Sequence, residues 1–139
     1  MTLFLLDTDH LTLYEFGHPQ VLKNVVLHVM DTITISVITI EEQLEGWQSA
    51  LRQAKDDAKR EQIYRRMAQT VESLSGWPVL PYTIPAMQRR TTLLRMRLNV
   101  GSNDLKIAAI AMEDQATVVT RNVRDFSRIP SLAFTDWSA

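Results

Sequence analysis

The chain has 139 residues, 45% of them hydrophobic and 22% charged, with a net charge of −1 and no cysteine. That balance excludes a disordered tail, a collagenous repeat and a coiled coil, and the length suits a single domain over 1–139 that needs no disulfide or structural metal. Without cysteine there is no thiol nucleophile and no zinc–thiolate site, which fits a reducing cytoplasm.

The opening Leu3–Leu6 run has no basic residue before it and is too short for a secretion signal, so it reads as a buried strand. No run approaches the ~18 apolar residues of a membrane helix, so a soluble, cytoplasmic protein with no membrane partner is expected. A helical stretch follows from Thr8 to about Tyr14. Gly17-His18-Pro19 makes a turn into a second helix running to about Met30. Ile33–Ser36 is β-branched enough for a second strand. A helix is then expected from about Thr39 to Ala50, opened by a capping box in which Glu42 reaches back to Thr39. Residues 52–75 carry Ile63, Tyr64, Met67, Val71 and Leu74 at helical spacing and read as an amphipathic helical arm closed by Gly76 and Pro78.

Val79-Leu80 is a short third strand, and Pro85 opens a helix to about Leu98 in which Met87, Leu94 and Leu98 read as a buried stripe. The next helix, from Asp104 to about Asp114, is apolar nearly all round and should be buried. Thr117–Thr120 is a fourth strand, and Leu132–Phe134 a fifth after Pro130. Trp47, Trp77 and Trp137 read as packing or interface residues. Short apolar strands alternating with helices predict an α/β protein: a three-layer α/β/α sandwich around a mostly parallel sheet of about five short strands.

Ligands in such sheets bind beyond the carboxyl ends of the strands. Asp7 ends the first strand, Glu42 sits early in the helix after the second, Asp104 opens the buried helix, and Asn122 and Asp125 follow the fourth strand. Each has a structural explanation of its own: Asp7 as an N-cap, Glu42 in a capping box, Asp104 at a helix dipole, Asp125 in a turn. A parallel sheet would nevertheless bring Asp7, Glu42, Asn122 and Asp125 to one edge, with Asp104 placed by the loop before it. Carboxylates gathered in one crevice repel, and a divalent cation offsets that repulsion. An all-oxygen set selects Mg²⁺ or Mn²⁺, whose chemistry at a phosphodiester is hydrolysis by in-line displacement.

Charge is uneven along the chain. Residues 1–82 hold 7 Lys/Arg against 11 Asp/Glu, and residues 83–139 hold 8 against 5. Arg89 and Arg90 lie in one basic cluster, Arg121, Arg124 and Arg128 in another. They are either a solvated face or a surface that contacts RNA phosphates.

The chain resembles the PIN-domain ribonucleases, and within them the VapC-like toxins of toxin–antitoxin pairs. Four blocks carry the resemblance: Leu5-Leu6-Asp7-Thr8-Asp9, Ile35-Ser36-Val37-Ile38-Thr39 leading to Glu42 and Gly46, Asp104-Leu105-Lys106-Ile107-Ala108-Ala109, and Val119-Thr120-Arg121-Asn122-Val123-Arg124-Asp125-Phe126. The resemblance implies a Mg²⁺- or Mn²⁺-dependent endoribonuclease acting on RNA such as tRNA or rRNA. It also implies a homodimer and neutralisation by a small antitoxin, which the helical arm often grips. It makes Asp7, Glu42, Asp104 and Asp125 metal ligands and gives Asn122 a water-positioning or loop-holding role. Thr120 matches a hydroxyl near the metal, or is an ordinary strand residue. The polar Gln43 after Glu42 departs from the family, and the adjacent Glu41 leaves open which glutamate faces the metal. Asp9 is either part of a second metal shell or a solvated helix-start acid.

Two other readings compete. The Asp7–Asp9 spacing also resembles the nucleophile and acid of haloacid-dehalogenase-type phosphatases, although Leu11 and the order of Lys106 and Asp104 fit that family poorly. A PIN-like fold without catalysis could bind RNA or protein alone.

Overall fold

The computed structural model describes residues 1–139. Leu3–Leu6 forms β1, and its alternation divides the apolar core. Leu5 packs into a cluster on one face of the sheet, while Phe4 and Leu6 pack into a second cluster on the other. The remaining elements are α1 (Thr8–Glu15), α2 (Pro19–Leu27), β2 (Thr32–Ser36), α3 (Val37–Gln53), α4 (Asp57–Leu74), β3 (Val79–Leu80), α5 (Ile84–Arg95), α6 (Ser102–Glu113), β4 (Thr117–Val119), α7 (Val123–Phe126) and β5 (Phe134–Thr135). The five strands are all parallel in the order β3-β2-β1-β4-β5. Helices cover both faces, so the expected α/β/α sandwich is the fold observed.

The chain winds outward from β1 through β2 to β3, then returns to place β4 on the other side of β1. Order therefore reverses between β1 and β4, and the segments leaving these two strands diverge there. The Asp7 amide donates to the Val119 carbonyl at 3.0 Å, which closes this junction. A crevice at such a reversal is the usual ligand position in open parallel sheets.

The α6 helix lies beneath the crevice. Leu105 and Ile107–Ala111 are buried, as an all-round apolar helix requires. On the opposite face Trp137 packs tilted against Phe4 and stacked on His28, with ring centroids 4.9 and 4.8 Å away. No helix is long and apolar enough to cross a membrane.

Four local expectations need correction. The helix after β2 starts at Val37 with Ser36 as its N-cap residue, so Thr39 lies inside the first turn and forms no capping box. Burial of Ile38 against the sheet outweighs the weak helix preference of the β-branched run. In α5 it is Ala86 and Leu93 that are buried, while Met87 and Leu94 are 44% and 48% exposed and face outward; of the expected stripe only Leu98, beyond the helix, packs half-buried against the core. That helix stops at Arg95 because Arg97 and Asn99 turn left-handed, with φ of 52° and 59°. Finally, β5 starts at Phe134, and Leu132 goes to the core from the preceding turn.

Candidate active site

Asp7, Thr8, Asp9, Glu42, Asp104, Ile107 and Asn122 line a cleft of about 210 Å³ at the carboxyl edge of the sheet. A larger hollow of about 370 Å³ lies at the other end of β4, against Thr117 and Arg89, and contains no acid. The chemistry is concentrated in the smaller one.

Each wall of the cleft follows from a local rule. Asp7 leaves β1 extended and caps α1, its Oδ1 accepting the His10 amide at 2.8 Å. The residue is only 6% exposed, so one carboxylate both caps α1 and stands in the cleft wall. Glu42 reaches the cleft from the second turn of α3, whereas Glu41 points to solvent, which settles which glutamate faces the other acids. The Thr8 hydroxyl donates to Glu42 Oε1 at 2.9 Å. Asp104 comes from the first turn of α6, where the helix dipole favours a carboxylate.

Asn122 follows β4 and binds two acids at once. Its Nδ2 donates to Asp104 Oδ2 at 3.2 Å and to Asp125 Oδ2 at 3.0 Å. Thr120 is fully buried, and its hydroxyl accepts the Asn122 amide at 2.9 Å, which fixes the bend that aims the carboxamide. In this structure Thr120 shapes the loop.

Burial is the main force that raises the Asp104 pKa. The Asn122 hydrogen bond opposes that rise, and the charges of Asp7, Glu42 and Asp125 add to it. Three separate chain segments therefore place negative charge around one carboxyl group.

On Asp7, Glu42 and Asp104 alike, one oxygen is held by a protein donor and the other carries no protein hydrogen bond. Asp125 differs, because Asn122 takes its Oδ2 and Arg128 Nη1 takes its Oδ1 at 3.0 Å. It stands behind Asn122 and is absent from the cleft lining. The three facing acids supply hard oxygen donors with no histidine or sulfur among the lining residues, a set suited to a cation such as Mg²⁺ or Mn²⁺. They line the cleft without closing into a cage, since no three Asp, Glu or His side chains are gathered at coordination spacing. The fit therefore rests on donor chemistry and mutual repulsion.

The arginines divide by position. Arg121 clamps Asp9 with two bonds of 2.7 and 3.1 Å at the rim of the cleft. With both its oxygens engaged there, Asp9 is poorly disposed to serve as a phosphatase acid beside Asp7. Arg128 ties the Asn99 carbonyl (2.9 Å) to Asp125 and so braces the loop ahead of Asp104. Arg90 donates to Ser102 at the start of α6. Arg89 pairs with Glu113 at the far end of that helix, away from the cleft. Arg124 is exposed, and its side chain makes no hydrogen bond within the protein.

Two elements of the site carry no local signal: Thr8 belongs to a strand-end motif and Thr39 to a capping pattern, and only the approach of α1 to α3 makes them partners. His10 was a lone histidine in sequence. It is fully buried, with Nε2 accepting the Trp137 amide at 3.2 Å and Nδ1 3.6 Å from Asp7 Oδ1. Nothing in local spacing points to a contact 127 positions away.

Residues 4–132 match the PIN domain family model. Over 137 residues the chain is 29% identical to "Ribonuclease VapC2" of Rickettsia felis, covering 97% of this chain and 98% of that protein. It is also 29% identical over 141 residues to "tRNA(fMet)-specific endonuclease VapC" of Salmonella typhimurium, covering 99% of each. Among solved structures it superposes on DNA-bound VapBC from Salmonella typhimurium with a TM-score of 0.76 at 29% identity, covering 99% of both chains. VapBC2 from Rickettsia felis bound to a promoter DNA fragment gives 0.74 at 29% identity, covering 98% of this chain and 99% of that one.

Proposed function

The chain belongs to the PIN domain family, and from that premise we propose that it is the endoribonuclease toxin of a toxin–antitoxin pair, hydrolysing RNA phosphodiester bonds with Mg²⁺ or Mn²⁺. The observation that carries this reading is the convergence of Asp7, Glu42 and Asp104 on one cleft with an unengaged oxygen on each. PIN-domain ribonucleases are in general divalent-metal dependent.

Asp7, Glu42 and Asp104 would hold the cation. When bound, it supplies charge neutralisation at the scissile phosphate and activation of the attacking water. Asn122 keeps Asp104 oriented, and Asp125 acts through Asn122 and Arg128 as a support; a direct bond from Asp125 to the cation would compete with the hydrogen bond that Asn122 or Arg128 makes to the same oxygen. Thr120 holds the loop that carries Asn122. Arg121 at the rim and the exposed Arg124 bind phosphates flanking the cut, while Arg90, Arg128 and, more remotely, Arg89 contribute to the field that draws RNA in.

The chain works as one domain, its two apolar clusters lying on the two faces of one sheet. A small antitoxin is the cognate partner, in keeping with the VapBC complexes that the fold matches. The helical arm over 52–75, essentially α4, is the surface it grips, and a hollow of about 200 Å³ between α4 and α3, lined by Trp47, Ala50, Ile63, Arg66 and Thr70, suits an apolar anchor. The protein acts as a cytoplasmic homodimer, and the relative that cleaves initiator tRNA makes structured RNA, tRNA before rRNA, the first substrate to try.

The test is cleavage of purified tRNA and total RNA by antitoxin-free protein with Mn²⁺, with Mg²⁺ and with EDTA, beside Asp104→Asn. Discrete metal-dependent cuts that the variant lacks are expected. Cuts that survive EDTA, or that the variant retains, overturn the reading. RNA binding with no cleavage under any metal would favour a binding module.

A further inference from the structure

The Glu42 carboxylate is held by a relay that begins outside the cleft. Thr39, on the third residue of α3, is fully buried, and its Oγ1 lies 2.9 Å from Thr8 Oγ1. Thr8 Oγ1 lies 2.9 Å from Glu42 Oε1, which can only accept. A hydroxyl has one proton, so Thr8 gives its proton to Glu42 and the proton between the threonines comes from Thr39. Polarisation along this chain strengthens the last bond, which is already charge-assisted.

The relay joins two elements that the acids come from. Thr8 is the first residue of the helix that Asp7 caps, and Thr39 and Glu42 lie three apart on one face of α3. A glutamate has one more rotatable bond than an aspartate, so without Thr8 its carboxylate would sample several positions at the cleft. Pinning Oε1 leaves Oε2 as the oxygen available to a ligand.

We infer that Thr8, backed by Thr39, is a positioning residue that fixes the Glu42 carboxylate for cation binding; this rests on the metal-dependent reading of the same site. Thr8 does not touch the reacting atoms and acts only through Glu42. Its loss weakens the site for the cation while leaving the fold and the other acids in place.

The experiment is a thermal-melt titration with MnCl₂ alone, in the absence of RNA, on wild type, Thr8→Val and Thr8→Ser, followed by RNA cleavage at low and saturating Mn²⁺. Outer partners of metal ligands typically change affinity by 10- to 100-fold. Thr8→Val should need about 10-fold more Mn²⁺ for half of the thermal shift. Thr8→Ser, which keeps the hydroxyl, should titrate with wild type, and saturating Mn²⁺ should restore most of the Thr8→Val cleavage rate. Thr8→Ala replaces Thr8→Val should the latter not fold.

A Thr8→Val or Thr8→Ala midpoint equal to that of a responsive wild type overturns this inference alone. A wild type whose melting point ignores Mn²⁺ and whose cleavage persists in EDTA overturns the metal reading, and this inference with it.

Discussion

Asn122 Nδ2 reaches Asp104 Oδ2 at 3.2 Å and thereby joins the loop after β4 to the first turn of α6. The same nitrogen serves Asp125, so a single carboxamide separates two carboxylates that repel each other. Replacing the donor by an acceptor should turn this bridge into a repulsive contact. Asn122→Asp is expected to lower stability by roughly 1–3 kcal/mol in EDTA, the range for a polar group left without its partner. Urea unfolding with and without Mn²⁺ measures it; a loss that Mn²⁺ leaves undiminished would argue against a cation near this residue.

Asp104 carries a pH signature. Its folded-state pKa lies above the unfolded value, so the folded protein binds that proton more tightly. The favourable contribution is fully present below the unfolded value and is lost as pH rises through the raised folded value. Asp104→Asn should therefore melt higher than wild type at pH 7 without metal, and the gap should narrow toward pH 3–4, where about half or more of ordinary aspartates are protonated. Turnover should be abolished. A variant that melts lower at both pH values would make the carboxylate structural.

The Arg121–Asp9 pair is exposed and screened, so its removal should leave stability nearly unchanged. Its consequence is kinetic. Asp9→Asn releases the guanidinium at the rim and should lower KM for RNA, whereas Arg121→Gln should raise KM and reduce the salt dependence of binding by about one phosphate contact. Filter binding across a salt series separates the two. Equal KM values for both variants would remove Arg121 from the RNA path.

Arg124 and Arg128 look alike in sequence and should behave oppositely. Arg128 braces Asn99 and Asp125, so Arg128→Ala should cost about 1–3 kcal/mol, as charged hydrogen bonds do, and reduce activity through a loosened loop. Arg124→Ala should leave the melting point alone and weaken RNA binding. Paired melts and binding curves on the two variants decide this.

Trp137 is 3% exposed, stacks on His28 and packs tilted against Phe4. Trp137→Ala should cost about 3–5 kcal/mol, the usual penalty for emptying a large aromatic site. Chemical denaturation in EDTA measures it, and a cost below 1 kcal/mol would mean that the C-terminal tail is not part of the core.

Asp7, Glu42 and Asp104 were legible as site candidates because strand ends and helix starts can be located from local pattern, and parallel strands point the same way. The supporting contacts were not. Thr-x-x-Glu is a local motif that makes Thr39 a cap; the cap is Ser36, three residues sooner, and the Thr39 hydroxyl turns to Thr8 across 31 positions. Met87 and Leu94 kept helical spacing yet faced outward, since spacing identifies a stripe without saying which side the protein covers. His10 and Arg128 had no local signature for the Trp137 amide and the Asn99 carbonyl that they meet.

By itself the sequence determined the strand–helix alternation, the parallel sheet and the acids at its carboxyl edge, because hydrophobic period, capping and turn chemistry act over a few residues. Only the tertiary structure decided which oxygen of each acid is tied down, which arginines are spent on loops and which stand free. Apart from the local cap on Asp7 and the Arg128–Asp125 pair, those outcomes depend on contacts between segments 18 to 112 positions apart, and such contacts are set by how the helices pack across the sheet.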